Sequence, residues 1–294
     1  MILTPENYYS PEANREYWSA SFVKSMLDCP ARALAELRGE YERPVTDALL
    51  IGGYIDAYFT GATAFAGYIA SHPEIMNSRT GRLKAQYLAA DAMIARAQSD
   101  AVFSDFLSGE KQTIITGEID GIPFKCKPDF LLRGRRIVDL KTVRDFGPVW
   151  RDGEGWQTFP DYWHWDIQLA IYQRLVGGRL PCYLACISKP SPPGLMIVEV
   201  ATDDLDDAMR RRTEVLPRLD AMRSGIIEPD RCGRCDYCRA TEHITRPVTL
   251  DELRAEIYGA VYDKRDNDNR TALRRPGTES YAKLHGNGGL PRCR

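Results

Sequence analysis

The 294 residues suffice for one large domain or one domain with an appendage, and 44% apolar with 27% charged is the balance of a globular protein. A formal net charge of −2 gives no global basic signature of nucleic-acid binding, although a local basic patch offset by an acidic centre remains compatible with it. No stretch approaches the ~18 uncharged apolar residues of a membrane span, and the opening MILTPENYYSPEANREYWS lacks the basic and apolar regions of a secretion leader, so the expected location is the cytoplasm.

In chain order, a first helix is expected from Ser19 or Ser21 through SFVKSMLDCPARALAELRG, interrupted at Pro30. DALLIGGYIDAYFTG reads as a second helix despite Gly52 and Gly53, which weaken a helix and allow close packing or substrate approach. Residues 61–109 are mainly helical in pattern, most strongly in RLKAQYLAADAMIARAQSDAVFSDFLSG. The texture then turns to short strands, QTIITGEI, IPFKCKPDFLL and RIVDLKTV, separated by turn signals at Asp120-Gly121 and around Gly134. A helix at 164–177 follows, ended by Gly177-Gly178, then strands CYLACIS and GLMIVEV around the turn KPSPPG, then a helix over 203–224. This order predicts an α/β protein with a mixed central sheet covered by helices. Its expected organisation is an N-terminal helical region at 1–109, a core at 110–228, a cysteine module at 229–247 packed on the same domain, and a C-terminal helix with extended tail at 248–294. No internal repeat is present. Beyond about residue 262 the chain is polar, glycine-rich and aperiodic, which predicts a mobile or partner-ordered tail.

The chemistry-bearing stretch is RRIVDLKTVRDF, residues 135–146. Strand side chains alternate, so Asp139 and Lys141 share one face while Val138, Leu140 and Thr142 take the other. Charges in such a segment are costly unless paired or ligated. Asp129 lies ten residues earlier, across a turn, where a hairpin can bring it beside Asp139. Carboxylates converging without an arginine suit Mg²⁺ or Mn²⁺, which prefer oxygen ligands, orient a phosphate and activate water. Lys141 would position or deprotonate that water, or stabilise the transition state.

PDFLLRGRRIVDLKT resembles the PD-(D/E)xK nuclease signature, with Asp129 and Asp139 as the acids and Lys141 as the lysine. WDIQLAIYQ resembles the Q-x-x-x-Y helix of the RecB-like branch of that superfamily, giving Gln168 and Tyr172 on one helix face. GGYIDAYF stands in the place of the branch's G-x-x-x-H motif, with Asp56 where many members have histidine; a carboxylate there still suits Mg²⁺ or Mn²⁺. Over residues 18–245 the chain is most similar to phage and prophage exodeoxyribonuclease VIII-like (RecE-like) proteins. The resemblance implies a restriction-endonuclease-like core, a metal set of Asp56, Asp129, Asp139 and Glu110, and Gln168 and Tyr172 bound to phosphate, water or DNA backbone. Glu118, nearer the hairpin, competes with Glu110.

Eight cysteines include three in RCGRCDYC: Cys232, Cys235 and Cys238. Without a secretion signal this spacing favours metal or cluster ligation over disulfides. A tetrahedral zinc or a four-iron cluster needs four ligands, and Cys29 in LDCPA is the best fourth. One cysteine before the core and three after it resembles the split [4Fe-4S] arrangement of some RecB-like nucleases, which implies a structural staple. Zn²⁺ is the alternative, with His243 able to replace Cys29. Cys126, Cys182 and Cys186 sit in apolar strand settings and read as core, Cys293 as incidental, and His164 as a cap or surface residue.

Arg133, Arg135, Arg136 and Arg144 flank the acidic stretch and Arg274 and Arg275 lie in the tail, all suited to phosphate contact. Trp150, Trp156, Trp163 and Trp165 surround a loop of about 145–162, where they would stack on bases or cap the sheet, and the loop itself is long enough for a substrate flap. The expected function is metal-dependent hydrolysis of DNA, as an exonuclease more than an endonuclease, in a bacterial or phage-infected cell. Linear duplex or DNA ends are the expected substrate, a single-strand annealing or recombination protein the expected partner, and self-association is compatible with it. A non-catalytic DNA-binding recombination component and a small-substrate phosphoesterase are the alternatives.

Overall fold

Side-chain caps and glycines set the boundaries of the N-terminal helices. A computed structural model describes residues 1–255 apart from 152 and 245, without the side chains of 86 and 213. Helix α1 (Pro11–Glu16) is capped by Ser10. Ser19 accepts from the Phe22 N–H to start α2 (Ala20–Asp28), and Pro30 occupies the first turn of α3 (Pro30–Arg38), which Gly39 ends in the left-handed region. The expected interruption at Pro30 is therefore a break between two helices, with Cys29 at the joint. Thr46 caps α4 (Asp47–Thr60), and α5 (Ala62–Ser71), α6 (Leu88–Gln98) and α7 (Ala101–Phe106) complete the helical region.

Strands β1 (Glu110–Lys111), β2 (Ile115–Ile119), β3 (Ile122–Cys126), β4 (Phe130–Leu132) and β5 (Arg136–Val143) follow. Asp120 and Gly121 both have positive φ, +51° and +76°, as the two-residue turn joining β2 to β3 requires. A short hairpin, β6 (Val149–Arg151) and β7 (Gly155–Gln157), occupies the expected flap loop, and α8 (Phe159–Tyr162) closes it. Then come α9 (Trp165–Val176), β8 (Cys182–Ser188) and β9 (Leu195–Val200). The single helix expected over 203–224 is two, α10 (Thr202–Thr213) and α11 (Leu216–Arg223), because Pro217 fits only the opening turn of a helix. Helix α12 (Asp236–Ala240) carries Cys238, the third cysteine of RCGRCDYC.

The central sheet runs β1-β4-β5-β8-β9 and is mixed: β5 and β8 are parallel, joined through α9, and the other pairs are antiparallel. It divides the core. Ile137 and Val143 of β5 pack into one cluster with α2, α9 and Cys182, Leu184 and Cys186 of β8. Val138 and Leu140 pack into another with α4, α6, Ala185 and Ile187. Alternation along β5 thus sends its two sets of side chains to different helical layers, and Asp139 and Lys141 share the parity of the α9 face.

Met1–Thr241 form one compact unit and Glu242–Arg294 a second, in whose described part Thr249 and Glu252 exchange hydrogen bonds as a capping box. The tail beyond 262, with Arg274, Arg275 and Cys293, lies outside the described residues. Among the described residues no helix is long and apolar enough to cross a membrane.

Candidate active site

Asp129 stands just before β4, Asp139 and Lys141 on β5, Gln168 and Tyr172 one turn apart on α9, and Asp56 on α4. All six line one cavity of about 610 Å³ together with Gln112. Asp139 is buried and ion-pairs with Lys141. Lys141 thus lines the cavity and pairs with Asp139 at once. Gln168 Nε2 donates to Asp139 Oδ1 and to the Tyr172 hydroxyl, both at 2.9 Å. Its Oε1 accepts from Lys24 at 2.9 Å and from Lys141 at 3.4 Å. Asp129 is anchored by the Leu140 N–H on Oδ2 at 2.8 Å. Gln112 Nε2 donates to Asp129 Oδ1 at 2.9 Å and Asp56 Oδ1 at 3.1 Å, so one amide nitrogen sits between two carboxylates.

The charges strain against one another. Burial first, then the Asp139 carboxylate, pushes Asp56 up to about 6. Burial, then Asp139 and Asp56, holds Asp129 well above the usual carboxylate range. Burial acts to lower the Lys141 ammonium, but Asp139 and Asp129 outweigh it and leave it raised, so this lysine stays charged. Lys24 is lowered to about 8 by burial and by Lys141. Burial and the two aspartates keep Tyr172 a neutral phenol.

The structure does not bring either accessory glutamate to the cavity. Glu110 is half exposed and its carboxylate forks with Arg133, 2.8 Å from Nη2. Its two-residue strand pairs with β4, which sets Glu110 opposite Leu131. Glu118 is exposed on β2, opposite Pro123. Of the flanking arginines, Arg136 pairs with Asp105 and Arg144 with Asp145. Gln112 and Lys127 line the cavity and Lys24 reaches it through Gln168, and no local motif in the sequence marks any of the three. Gln112 fell at the head of an expected strand, but its φ of +51° turns it out of that strand toward the acids.

A second cavity, about 740 Å³, is lined by Trp150, Trp163, Trp165, His164, Lys24 and Arg234 among others. Trp150 meets Trp156 edge-on across the β6–β7 hairpin at 5.5 Å. Trp165 is buried, with the Lys141 ammonium 5.4 Å from its ring, while Trp150, Trp156 and Trp163 are more than half exposed. His164 occupies the N-cap position of α9, in the left-handed region and without a side-chain bond to the helix; its Nε2 lies 3.2 Å from Arg151 Nη1.

Cys29, Cys232, Cys235 and Cys238 have their sulfurs within 4.8 Å of one another. His243 belongs to the second unit and is not among the four. Cys126, Cys182 and Cys186 are buried in the core, where burial pushes each thiol up to about 12.

A family model described as a PDDEXK-like domain of unknown function (DUF3799) matches residues 19–241. The crystal structure of a candidate exonuclease from Eubacterium rectale is 36% identical, covers 87% of this chain and 99% of that one, and superposes with a TM-score of 0.82. The structure of SSO0001 is 17% identical over 78% of this chain and 96% of that one, and its TM-score of 0.30 carries no weight. No curated protein matches the chain. With Asp139 on β5 and Asp129 just before β4, a glutamine and tyrosine on the crossover helix and a family match spanning all of them, the chain belongs to the PDDEXK-like DUF3799 family and has the fold of the PD-(D/E)xK nuclease superfamily.

Proposed function

We propose that this protein is a Mg²⁺- or Mn²⁺-dependent deoxyribonuclease that degrades linear duplex DNA from its ends. The observation that carries the reading is the convergence of Asp56, Asp129, Asp139, Lys141, Gln168 and Tyr172 on one cavity. The donor set fits a hard divalent cation: carboxylate oxygens crowd together, two of them with their pKa values raised by burial and mutual repulsion. Asp129, Asp139 and Asp56 would hold it. Such a cation supplies neutralisation of phosphate charge and a more acidic water.

The chain's own groups do the rest. Lys141, kept cationic by its aspartates, stabilises negative charge developing on phosphate oxygens rather than acting as a base. Gln168 fixes the Asp139 carboxylate and takes both lysines on its oxygen. The Tyr172 hydroxyl, accepting from Gln168, leaves its proton for a phosphate oxygen. Glu110 has no part in this site.

The RecE-like resemblance supports the finer reading: phage or prophage recombination in the cytoplasm, a single-strand annealing partner and self-association. The test is a panel of linear, nicked, circular and single-stranded DNA and nucleotide esters, with Mg²⁺ or Mn²⁺, on wild type and Lys141→Ala. The expected result is metal-dependent shortening of linear duplex, with closed circles spared and the variant inactive but folded. Uniform failure on DNA overturns the reading, and cleavage of esters alone makes it a small-substrate phosphoesterase.

A further inference from the structure

We propose that Cys29, Cys232, Cys235 and Cys238 hold one tetrahedral zinc ion, and not the four-iron cluster that the one-plus-three cysteine arrangement implies by resemblance. The spacing of the sulfurs decides between the two. Cys29 and Cys238 are 3.5 Å apart, Cys232 and Cys238 3.9 Å, and Cys235 and Cys29 3.9 Å. A tetrahedron with Zn–S bonds of ~2.3 Å has sulfur-to-sulfur edges of about 3.8 Å. In a four-iron cluster each thiolate sits on a different iron, outside an inorganic cube, so the sulfurs stand apart by more than the width of the cube. The four thiols here enclose room for a single ion.

The local build agrees with that scale. Gly233, at φ +70°, lets the chain turn tightly between Cys232 and Cys235. The Cys235 N–H points at Cys232 Sγ and the Cys238 N–H at Cys235 Sγ, each at 3.4 Å. Such N–H donors favour thiolates, and Cys235 caps α12 by the same contact. Two successive C-x-x-C steps match structural zinc spacing. Cys29 enters from the α2–α3 joint, fully buried.

The frame around the sulfurs is also built. The Ala31 N–H donates to the Asp230 carbonyl at 3.1 Å, Arg218 pairs with Asp230 at 2.7 Å, and Arg231 donates to the Cys238 carbonyl at 3.0 Å. Tyr41 meets Tyr237 edge-on at 5.3 Å. Helix α3 and the cysteine strap are thereby held together across a separation of 209 residues between Cys29 and Cys238. Four sulfurs gathered there as thiolates repel unless a cation lies among them. The ion's role is to close that joint.

The full chain, purified without oxygen, is analysed for zinc, iron and acid-labile sulfide and its visible spectrum recorded. The expected result is about one zinc per chain, no labile sulfide and no visible absorption. Cys232→Ser reduces zinc to background, whereas Cys232→His retains about one zinc per chain, since mixed Cys₃His sites are ordinary for this ion. Should the serine variant fail to fold, exchange of cobalt into wild type reads the same geometry through the intense visible bands of tetrahedral cobalt thiolate. A brown protein with iron and sulfide in about equal amounts overturns the proposal, and so does a chain carrying four thiols and no metal. These readouts use no DNA, so the nuclease reading and the zinc assignment stand or fall separately.

Discussion

Gln168 donates its amide nitrogen to Asp139 at 2.9 Å, reaching from α9 to a strand 29 residues earlier. The orientation of that amide follows from its charged neighbours. Lys24 and Lys141 can only donate, so they require the oxygen, and the carboxylate requires the nitrogen. In the proposed function Gln168 is a positioning residue acting through Asp139. Gln168→Ala is expected to weaken Mn²⁺ binding by roughly 10–100-fold, as loss of a group that orients a metal ligand does. Gln168→Glu is expected to weaken DNA cleavage further, because it sets a second carboxylate against Asp139. Mn²⁺ titration by calorimetry beside kcat on linear duplex checks both, and unchanged Mn²⁺ affinity in the alanine variant would refute the positioning role.

The Lys141–Asp139 ion pair predicts a link between metal and stability. Asp139 is 2% exposed in its side chain and Lys141 18%, so removing the ammonium strands a buried carboxylate. Lys141→Met is expected to lower the stability of the metal-free protein by about 3–5 kcal/mol. Saturating Mn²⁺ should then raise the melting temperature of the variant more than that of wild type, since the cation replaces the missing charge. Activity should stay at least ~100-fold down because the stabilising donor is gone. Equal thermal shifts in both proteins would mean that Asp139 does not face the cation.

The adjacent glycines of α4 separate a packing role from a cavity role. A methyl group on Gly53 would lie 2.7 Å from the ring of Tyr68, which is pinned by its hydroxyl on the Leu50 carbonyl and stacked on His72. Overpacking of this kind costs about 1–3 kcal/mol, so Gly53→Ala should melt lower than wild type. On Gly52 the same methyl meets only Thr142 Oγ1 at 3.4 Å. Gly52→Ala should melt at or above wild type, since alanine favours a helix over glycine by ~1 kcal/mol. Calorimetric melting of both variants is the check, and a reversed order would refute the contact.

These residues also show where sequence reading works. Asp139 and Lys141 were legible because strand parity is strict, and Gln168 and Tyr172 because four residues bring side chains together on a helix. Asp129 was legible because a short hairpin returns the chain on itself. Gln112 was hidden: its part depends on a left-handed backbone and on where α4 docks, neither of which a local pattern encodes. Lys24 was hidden by its separation of 144 positions from Gln168. Glu110 misled because proximity to the β region in sequence says nothing of register, which sets it opposite Leu131 with its carboxylate on Arg133. The β6–β7 hairpin has strands of three residues, too short for alternation to register.

Lys125, which lines the cavity without contacting the acids, predicts a pH dependence of stability. It is 1% exposed on β3, with the Tyr8 carbonyl and Asn14 Oδ1 as hydrogen-bond partners and the Tyr8 ring 4.6 Å away. Both partners are neutral oxygens, and burial pushes the ammonium down to about 8 from 10.5. In the folded protein the proton therefore leaves near pH 8, whereas the unfolded chain keeps it to about 10.5. Between those values unfolding takes up a proton, so this residue's contribution to stability rises with pH, while below 8 both states are protonated and its contribution is flat. The buried thiols Cys126, Cys182 and Cys186, held near 12, act in the opposite sense above pH 9, but equally in a variant. The difference in urea unfolding free energy between wild type and Lys125→Met therefore isolates the lysine. It should shift in favour of wild type from pH 8 to pH 10 and stay constant from pH 6 to pH 7.5; a difference that is flat across the whole range would show that Lys125 keeps its proton in the fold.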